Sequence, residues 1–203
     1  MPTLVTPAIA AGSLTARPQP TLTAGGGALL RPWTLDDAEA VMDAYQDEAI
    51  QCWHVQRADS LDEAREWIVG WQAGWAAEDS AHWAVVGADS GILLGRAALK
   101  HFKFSDGTAD VAYWTVPAAR GKGVCPQAVD AMAAWAFEVA GFHRLDLEHA
   151  MGNTASCRVA EKTGFAAEGI RRSAGPWPTA ATTSTRTRAC AAVRRPEYGG
   201  CRR

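Results

Sequence analysis

The sequence predicts a single α/β domain: a mixed, mostly antiparallel sheet with a central parallel crossover, flanked by helices, its last strand weakly patterned. Three observations carry that expectation. Strand patterns follow one another closely over residues 83–116, separated only by glycine-containing turns. A glycine turn, Arg120-Gly121-Lys122-Gly123, then joins a strand to a long apolar helix pattern. Beyond it, helix and strand alternate, which demands a crossover connection.

In chain order, residues 1–27 are rich in Pro, Thr, Ala and Gly and end in Gly25-Gly26-Gly27, so a mobile N-terminal arm is expected. Residues 28–33 read as a first strand. Thr34 caps a helix with Asp36 and Asp37 in its first turn, where the helix dipole favours them. Ser60-Leu61-Asp62-Glu63 is a capping box for a second helix reaching about Ala77. In it Trp67, Trp71 and Trp75 recur at four-residue spacing, on one face. Residues 83–86, 92–104 and 109–116 are the three consecutive strands, the last two turned at Ser105-Asp106-Gly107. Along the third, Val111, Tyr113 and Thr115 share one face, and Ala112 and Trp114 the other. Residues 124–140 form a helix closed by Gly141. A strand at 145–149, a helix at 153–163 and a strand at 165–171 complete the order.

Bulk properties exclude several classes. A net charge of −2 leaves no global basic field for nucleic acid. A hydrophobic content of 48% opposes a disordered chain. No apolar run is long enough to span a bilayer, and the start lacks a basic segment and carries Pro2 and Pro7, unlike a signal peptide. The five cysteines, at 52, 125, 157, 190 and 201, include no CxxC pair. That favours a reducing, cytoplasmic location with neither a disulfide framework nor structural zinc. His54 and His101 lack metal-ligand spacing, so no metal is expected. A monomer or homodimer is expected.

Two segments carry chemistry. Gly121 and Gly123 let consecutive backbone N–H groups point into one concavity, and the following helix adds its positive N-terminus. A pyrophosphate is the natural guest; the alternative is a plain left-handed turn with solvated Arg120 and Lys122. Asn153 is a good N-cap with Ser156 at the third helical position. Simple capping accounts for Asn153 alone. Ser156 is either a solvated helix residue or, beside a thioester, a proton donor to the leaving thiolate. Arg158 either adds a cation near cofactor phosphates or belongs to a solvated face.

Taken in order, Leu30-Arg31-Pro32-Trp33, Tyr113-Trp114-Thr115-Val116, Arg120-Gly121-Lys122-Gly123, Asn153-Thr154-Ala155-Ser156, Glu161-Lys162-Thr163-Gly164-Phe165 and Glu168-Gly169 resemble the GNAT superfamily of acetyl-CoA-dependent N-acyltransferases, most closely its RimJ/RimL branch. The resemblance covers residues 28–175. It implies acetyl-CoA as co-substrate and a primary amine as acceptor, first a protein or peptide N-terminal amine, with a small-molecule amine or a non-catalytic acyl-CoA-binding role as alternatives. It implies Trp114, Thr115, Val116, Arg120, Gly121, Lys122, Gly123, Val124, Asn153 and Arg158 as cofactor contacts and Ser156 as general acid. It also implies a backbone N–H near Val116 that polarises the acetyl oxygen. The family's first polar position is Ala118 here, and the slot where many members place a tyrosine acid is Ala160. Candidates for the base are Asp110, Glu148 and His149, each with an ordinary surface role as the alternative.

The acceptor side is expected from residues 34–77. Trp53, Trp67, Trp71 and Trp75 are read there either as core packing or as groove lining, and Asp47, Glu48 and Asp62 either as attractors of the amine or as a solvated helix face. From Pro176 onward the sequence is an irregular tail with little alternating hydrophobicity, where the family has a closing hairpin. Arginine outnumbers lysine 16 to 4, as in GC-rich coding. Reading from one base before the Trp177 codon, with G or C third bases, admits Leu-Ala-Asp-Gly-Arg-His-Asp-Val, a hairpin-like string. The tail is therefore read as an out-of-frame replacement of the last hairpin, with a divergent, disordered tail as the alternative; third bases that forbid this path in the gene sequence would overturn the first reading.

Overall fold

A computed structural model describes residues 6–170. The expected tail at 176–203 lies outside the described residues. The described chain forms a six-stranded sheet in the order β1-β2-β3-β4-β5-β6: β1 (Leu22–Ala24), β2 (Ala28–Pro32), β3 (Ala81–Gly87), β4 (Leu93–Lys103), β5 (Thr108–Thr115) and β6 (Arg144–Leu147). All neighbours are antiparallel except β5 and β6. The helices are α1 (Ala38–Ala44), α2 (Glu48–Gln51), α3 (Leu61–Ala76), α4 (Val124–Glu138) and α5 (Thr154–Lys162). The expected mixed sheet with one parallel crossover is therefore present, the crossover being α4.

Alternation along the strands divides the core. Trp83, Val85, Leu99 and Val111 face α4, with Met132 and Trp135, on one side. Ala84, Val86 and Trp114 face α1 and α3 on the other, with Trp33, Val41 and Ile68. Local chemistry sets the helix starts. The Ser60 hydroxyl accepts the Glu63 N–H at 3.2 Å, while the Glu63 carboxylate accepts the Asp59 N–H at 2.6 Å. Thr34 and Asp37 cap each other, and Arg31 grips Asp37 with bonds of 2.7 and 2.8 Å, tying β2 to the first helical turn.

Two expectations are corrected. Residues 6–27 are not a free arm. Ile9 and Leu14 are buried in the core, and Leu22–Ala24 adds β1 to the sheet edge. The Glu78 carboxylate accepts backbone N–H bonds from Gly12, Leu14 and Thr15 at 2.5, 2.8 and 3.1 Å, and Trp83 Nε1 donates to the Pro20 carbonyl at 2.8 Å. Composition hid this, because the fastening groups lie more than 60 residues away along the chain. Nor is there a strand at 165–170. Phe165 is buried, but residues 166–170 are exposed, and Glu168 is held by its carboxylate to Arg144 on β6 rather than by a ladder. A segment with one buried side chain has little apolar surface to fix a strand register.

Glu78→Ala removes the acceptor for three backbone donors. The expected result is faster proteolysis near Arg17 and a Tm lower by about 2–6 °C, measured by limited trypsin digestion and thermal melting.

Candidate active site

The sheet opens between β5 and β6. Their parallel ladder runs from Thr108↔Arg144 only to Val111↔Leu147. β5 continues four residues further, paired to β4 alone. The Val116 N–H donates to the Leu94 carbonyl of β4 at 3.0 Å. Because strand groups alternate, the Trp114 backbone also faces β4, and the Tyr113 and Thr115 backbones face the opening. The chain leaves β6 by a turn at His149-Ala150, where the Ala150 carbonyl accepts from His149 Nδ1 (3.0 Å) and from the Asn153 N–H (2.9 Å). α5 then starts in the gap.

Two cavities, of about 430 and 370 Å³, meet here and share Trp53, His54, Tyr113, Asn153 and Ser156. The larger reaches the glycine turn. Gly121 and Gly123 have φ of +74° and +79°, a left-handed backbone that penalises any side chain, and α4 begins immediately after. Of the residues singled out in the sequence, Trp114, Thr115, Arg120, Gly121, Gly123, Val124, Asn153, Ser156 and Arg158 line this cavity. Val116 and Lys122 are not among its lining residues. Of the backbone N–H groups near Val116, β4 already takes that of Val116 itself, and by strand alternation those of Tyr113 and Thr115 are aimed at the opening. Arg120 is tethered by an ion pair to Asp47 and by its Nε to the Thr115 carbonyl at 3.2 Å.

Ser156 sits where the cavities join. Its N–H donates to the Asn153 side chain at 3.0 Å, so Asn153 is an N-cap. Its Oγ lies 2.7 Å from the Tyr113 hydroxyl, which is also 3.2 Å from the Ser156 carbonyl. Burial raises the Tyr113 pKa, so the phenol keeps its proton. Ala160 packs in the core, leaving its helix without a phenol, but Tyr113 brings one from β5. Sequence reading gave the Tyr113 phenol no role; only the register of β5 against α5 reveals the contact.

The smaller cavity holds all three base candidates. Asp110 is paired with His101 at 2.9 Å. The bond to the Ala150 carbonyl requires a proton on His149 Nδ1, since a carbonyl only accepts; Nε2 is buried with no hydrogen-bond partner among the described residues and carries a lone pair in the neutral ring. His54, missed by the sequence, is likewise fixed with Nδ1–H on the Ile50 carbonyl at 2.7 Å, and burial lowers its pKa. Arg96 and Lys100 also line this cavity and carried no signal beyond strand alternation.

Among the tryptophans, Trp53 lines both cavities. Trp67 and Trp71 pack α3 against Tyr45 and Trp33, and Trp75 packs on Trp135. Asp47 is held by Arg120 and Asp62 by Arg65 at 2.9 Å; neither these nor Glu48 lines either of the two cavities. Among the described residues there is no metal-ligand cluster, and no helix is long and apolar enough to cross a membrane.

A model of the acetyltransferase (GNAT) domain family matches residues 28–166. The curated protein "Probable N-acetyltransferase YjcK" of Bacillus subtilis (strain 168) is 28% identical over 151 residues, covering 70% of this chain and 82% of its own. The solved structure of Mycobacterium smegmatis RimJ in complex with CoA-disulfide matches with a TM-score of 0.74 at 17% identity, over 90% of each chain. The ribosomal-protein-S5-alanine acetyltransferase from Vibrio fischeri matches with a TM-score of 0.69 at 17% identity, over 77% of this chain and 91% of its own. At such identities the structural likeness speaks for the fold.

The site wall also sets a pH dependence. His82 Nδ1 accepts from Arg96 Nη2 at 2.6 Å, and burial followed by the Arg96 charge lowers the His82 pKa from 6.5 to about 2. Between those values the unfolded chain binds a proton that the folded chain refuses. Stability from this group is complete above pH 6.5 and falls as pH drops, by up to about 1.4 kcal/mol per pH unit. Urea unfolding at pH 7, 6 and 5 is expected to follow that slope, and His82→Asn to flatten it.

Proposed function

The chain belongs to the acetyltransferase (GNAT) family, and we propose that this acetyl-CoA-dependent N-acetyltransferase works at the junction of its two cavities, taking acetyl-CoA from one side and a primary amine from the other. The observation that carries this reading is the Ser156 hydroxyl at the seam, held by the Tyr113 phenol. The residues present fit the co-substrate. The glycine turn and the α4 N-terminus offer N–H groups and a positive dipole to its diphosphate. The free flank of β5 at Tyr113 and Thr115 offers strand-like hydrogen bonding to its amides. Arg120, released from Asp47, and Arg158 supply cations.

Bound there, acetyl-CoA supplies an electrophilic carbonyl and a thiolate leaving group. The Tyr113 or Thr115 N–H then polarises the carbonyl oxygen. Ser156 donates its hydroxyl proton to the departing sulfur while the Tyr113 phenol, which keeps its own proton, holds the serine oxygen along the 2.7 Å contact, and the serine regains a proton from solvent once the thiol has left. His149 is the base: the Ala150 carbonyl holds its Nδ1–H, and in the neutral ring Nε2 carries the lone pair that takes the amine proton. Thus the amine proton leaves on one side of the seam and the sulfur gains one on the other.

The acceptor is a protein or peptide N-terminal amine. Support comes from the structural neighbours named as ribosomal-protein acetyltransferases. A small-molecule amine is the second reading, favoured by a cavity of about 370 Å³, a size that suits a compact ligand.

Thiol release from acetyl-CoA, with a panel of N-terminal peptides and small amines, tests the assignment. Ser156→Ala is expected to lower kcat by about 10²-fold or more with the KM for acetyl-CoA little changed, and Tyr113→Phe by about tenfold. Unchanged kcat in Ser156→Ala would remove the serine from its role.

A further inference from the structure

Arg96 lies in the wall of the smaller cavity and is 8% exposed. Every partner it has is neutral. Nη2 meets His82 Nδ1 at 2.6 Å, its guanidinium carbon stands 4.8 Å above the Trp71 ring, and the Tyr45 phenol faces it. Nε has no hydrogen-bond partner, and no carboxylate forms an ion pair with it among the described residues. An arginine cannot shed its proton, so a full charge is buried without compensation, which is costly unless a ligand supplies the counter-charge. His82 and Trp71 position the guanidinium but do not neutralise it.

The neighbouring cation points the same way. Lys100 is four residues along β4 on the same face, lines the same cavity and stands opposite Asp110 in the β4–β5 register. Asp110 offsets Lys100, and Asp110 in turn holds His101. Across the whole lining Arg96 and Lys100 stand against Asp110 and Glu148, yet among the described residues no carboxylate pairs with Arg96, so its guanidinium is a cation that an anionic group on a ligand can meet.

We propose that Arg96, backed by Lys100, is a binding point for an anionic group on the acceptor, and that the acceptor is an amine carrying a carboxylate. The amine lies toward Ser156 and His149, and the carboxylate toward Arg96. In a peptide the carboxylate is an acidic side chain next to the N-terminal residue; in a small acceptor it is an amino acid's own. This proposal rests on reading the smaller cavity as the amine side.

The experiment compares matched acceptors that differ only in the anion: N-terminal Ser-Glu-Ala and Ser-Gln-Ala peptide amides, then β-alanine, β-alaninamide and 3-aminopropylphosphonate. Two readouts are taken on the full chain, thiol release and equilibrium binding by tryptophan fluorescence, which Trp71 beneath Arg96 reports. The carboxylate member of at least one set is expected to bind about tenfold tighter than its amide, mainly through KM. Arg96→Gln should abolish that preference, and Lys100→Met, farther from the packed tryptophans, should reduce it if Arg96→Gln fails to fold. Which set shows the preference separates peptide from small acceptor. Equal binding of carboxylate and amide, or a preference that survives in Arg96→Gln, overturns the proposal. A phosphonate bound tighter than β-alanine overturns the carboxylate assignment. A carboxylate preference in binding without turnover of any acceptor upholds the Arg96 site and removes the reading of this cavity as the amine side.

Discussion

The early end of the β5–β6 ladder is the constraint on which the rest depends. Four registered pairs hold the two strands together, and past Val111↔Leu147 they separate. A parallel sheet interior would bury every N–H and C=O of β5. Here the flank at Tyr113 and Thr115 has no strand to meet it, and apart from the Thr115 carbonyl, which accepts from Arg120 Nε, its hydrogen-bonding capacity is open. An unmet backbone edge in a protein interior calls either for water or for a ligand with amides of its own.

Several local interactions keep the gap open. The Ala150 carbonyl is met twice, by His149 and by the Asn153 N–H, which turns the chain off the sheet instead of along it. Asn153 then caps α5, and Tyr113 bonds to Ser156, so the helix start occupies the space a longer β6 would fill. On the glycine-turn side, Asp47 and Arg120 join α2 to the turn across 73 residues of sequence. Both walls of the opening are thereby fixed by side chains that also line it, Tyr113, Asn153 and Ser156 among them.

The legibility of this arrangement in the sequence follows contact range. Gly121, Gly123, Asn153 and Ser156 were legible because their signals are local: a turn conformation, a cap, and spacing within one helix. The sheet followed from strand patterns and short turns. Tyr113 against Ser156, 43 residues apart, and His82 against Arg96 across two strands were not, since no local pattern fixes which residues of separate elements meet. The N-terminal segment misled for a related reason. Its Pro, Gly and Thr content resembles a linker, yet Glu78 fastens it from the end of α3, and Ile9 finds a place in the core. The tryptophans show the converse: four-residue spacing correctly placed Trp67, Trp71 and Trp75 on α3, but packing turned them to the core, while Trp53, which follows α2, lines the cavities.

The central claim is that acetyl-CoA adds to the free flank of β5. Amide hydrogen exchange resolved at single residues, with and without acetyl-CoA, tests it most directly. The account predicts new protection at the Tyr113 and Thr115 N–H groups, with little change at Trp114 and Val116, which already bond to β4. Protection that spares Tyr113 and Thr115, or that appears equally at all four, would contradict it.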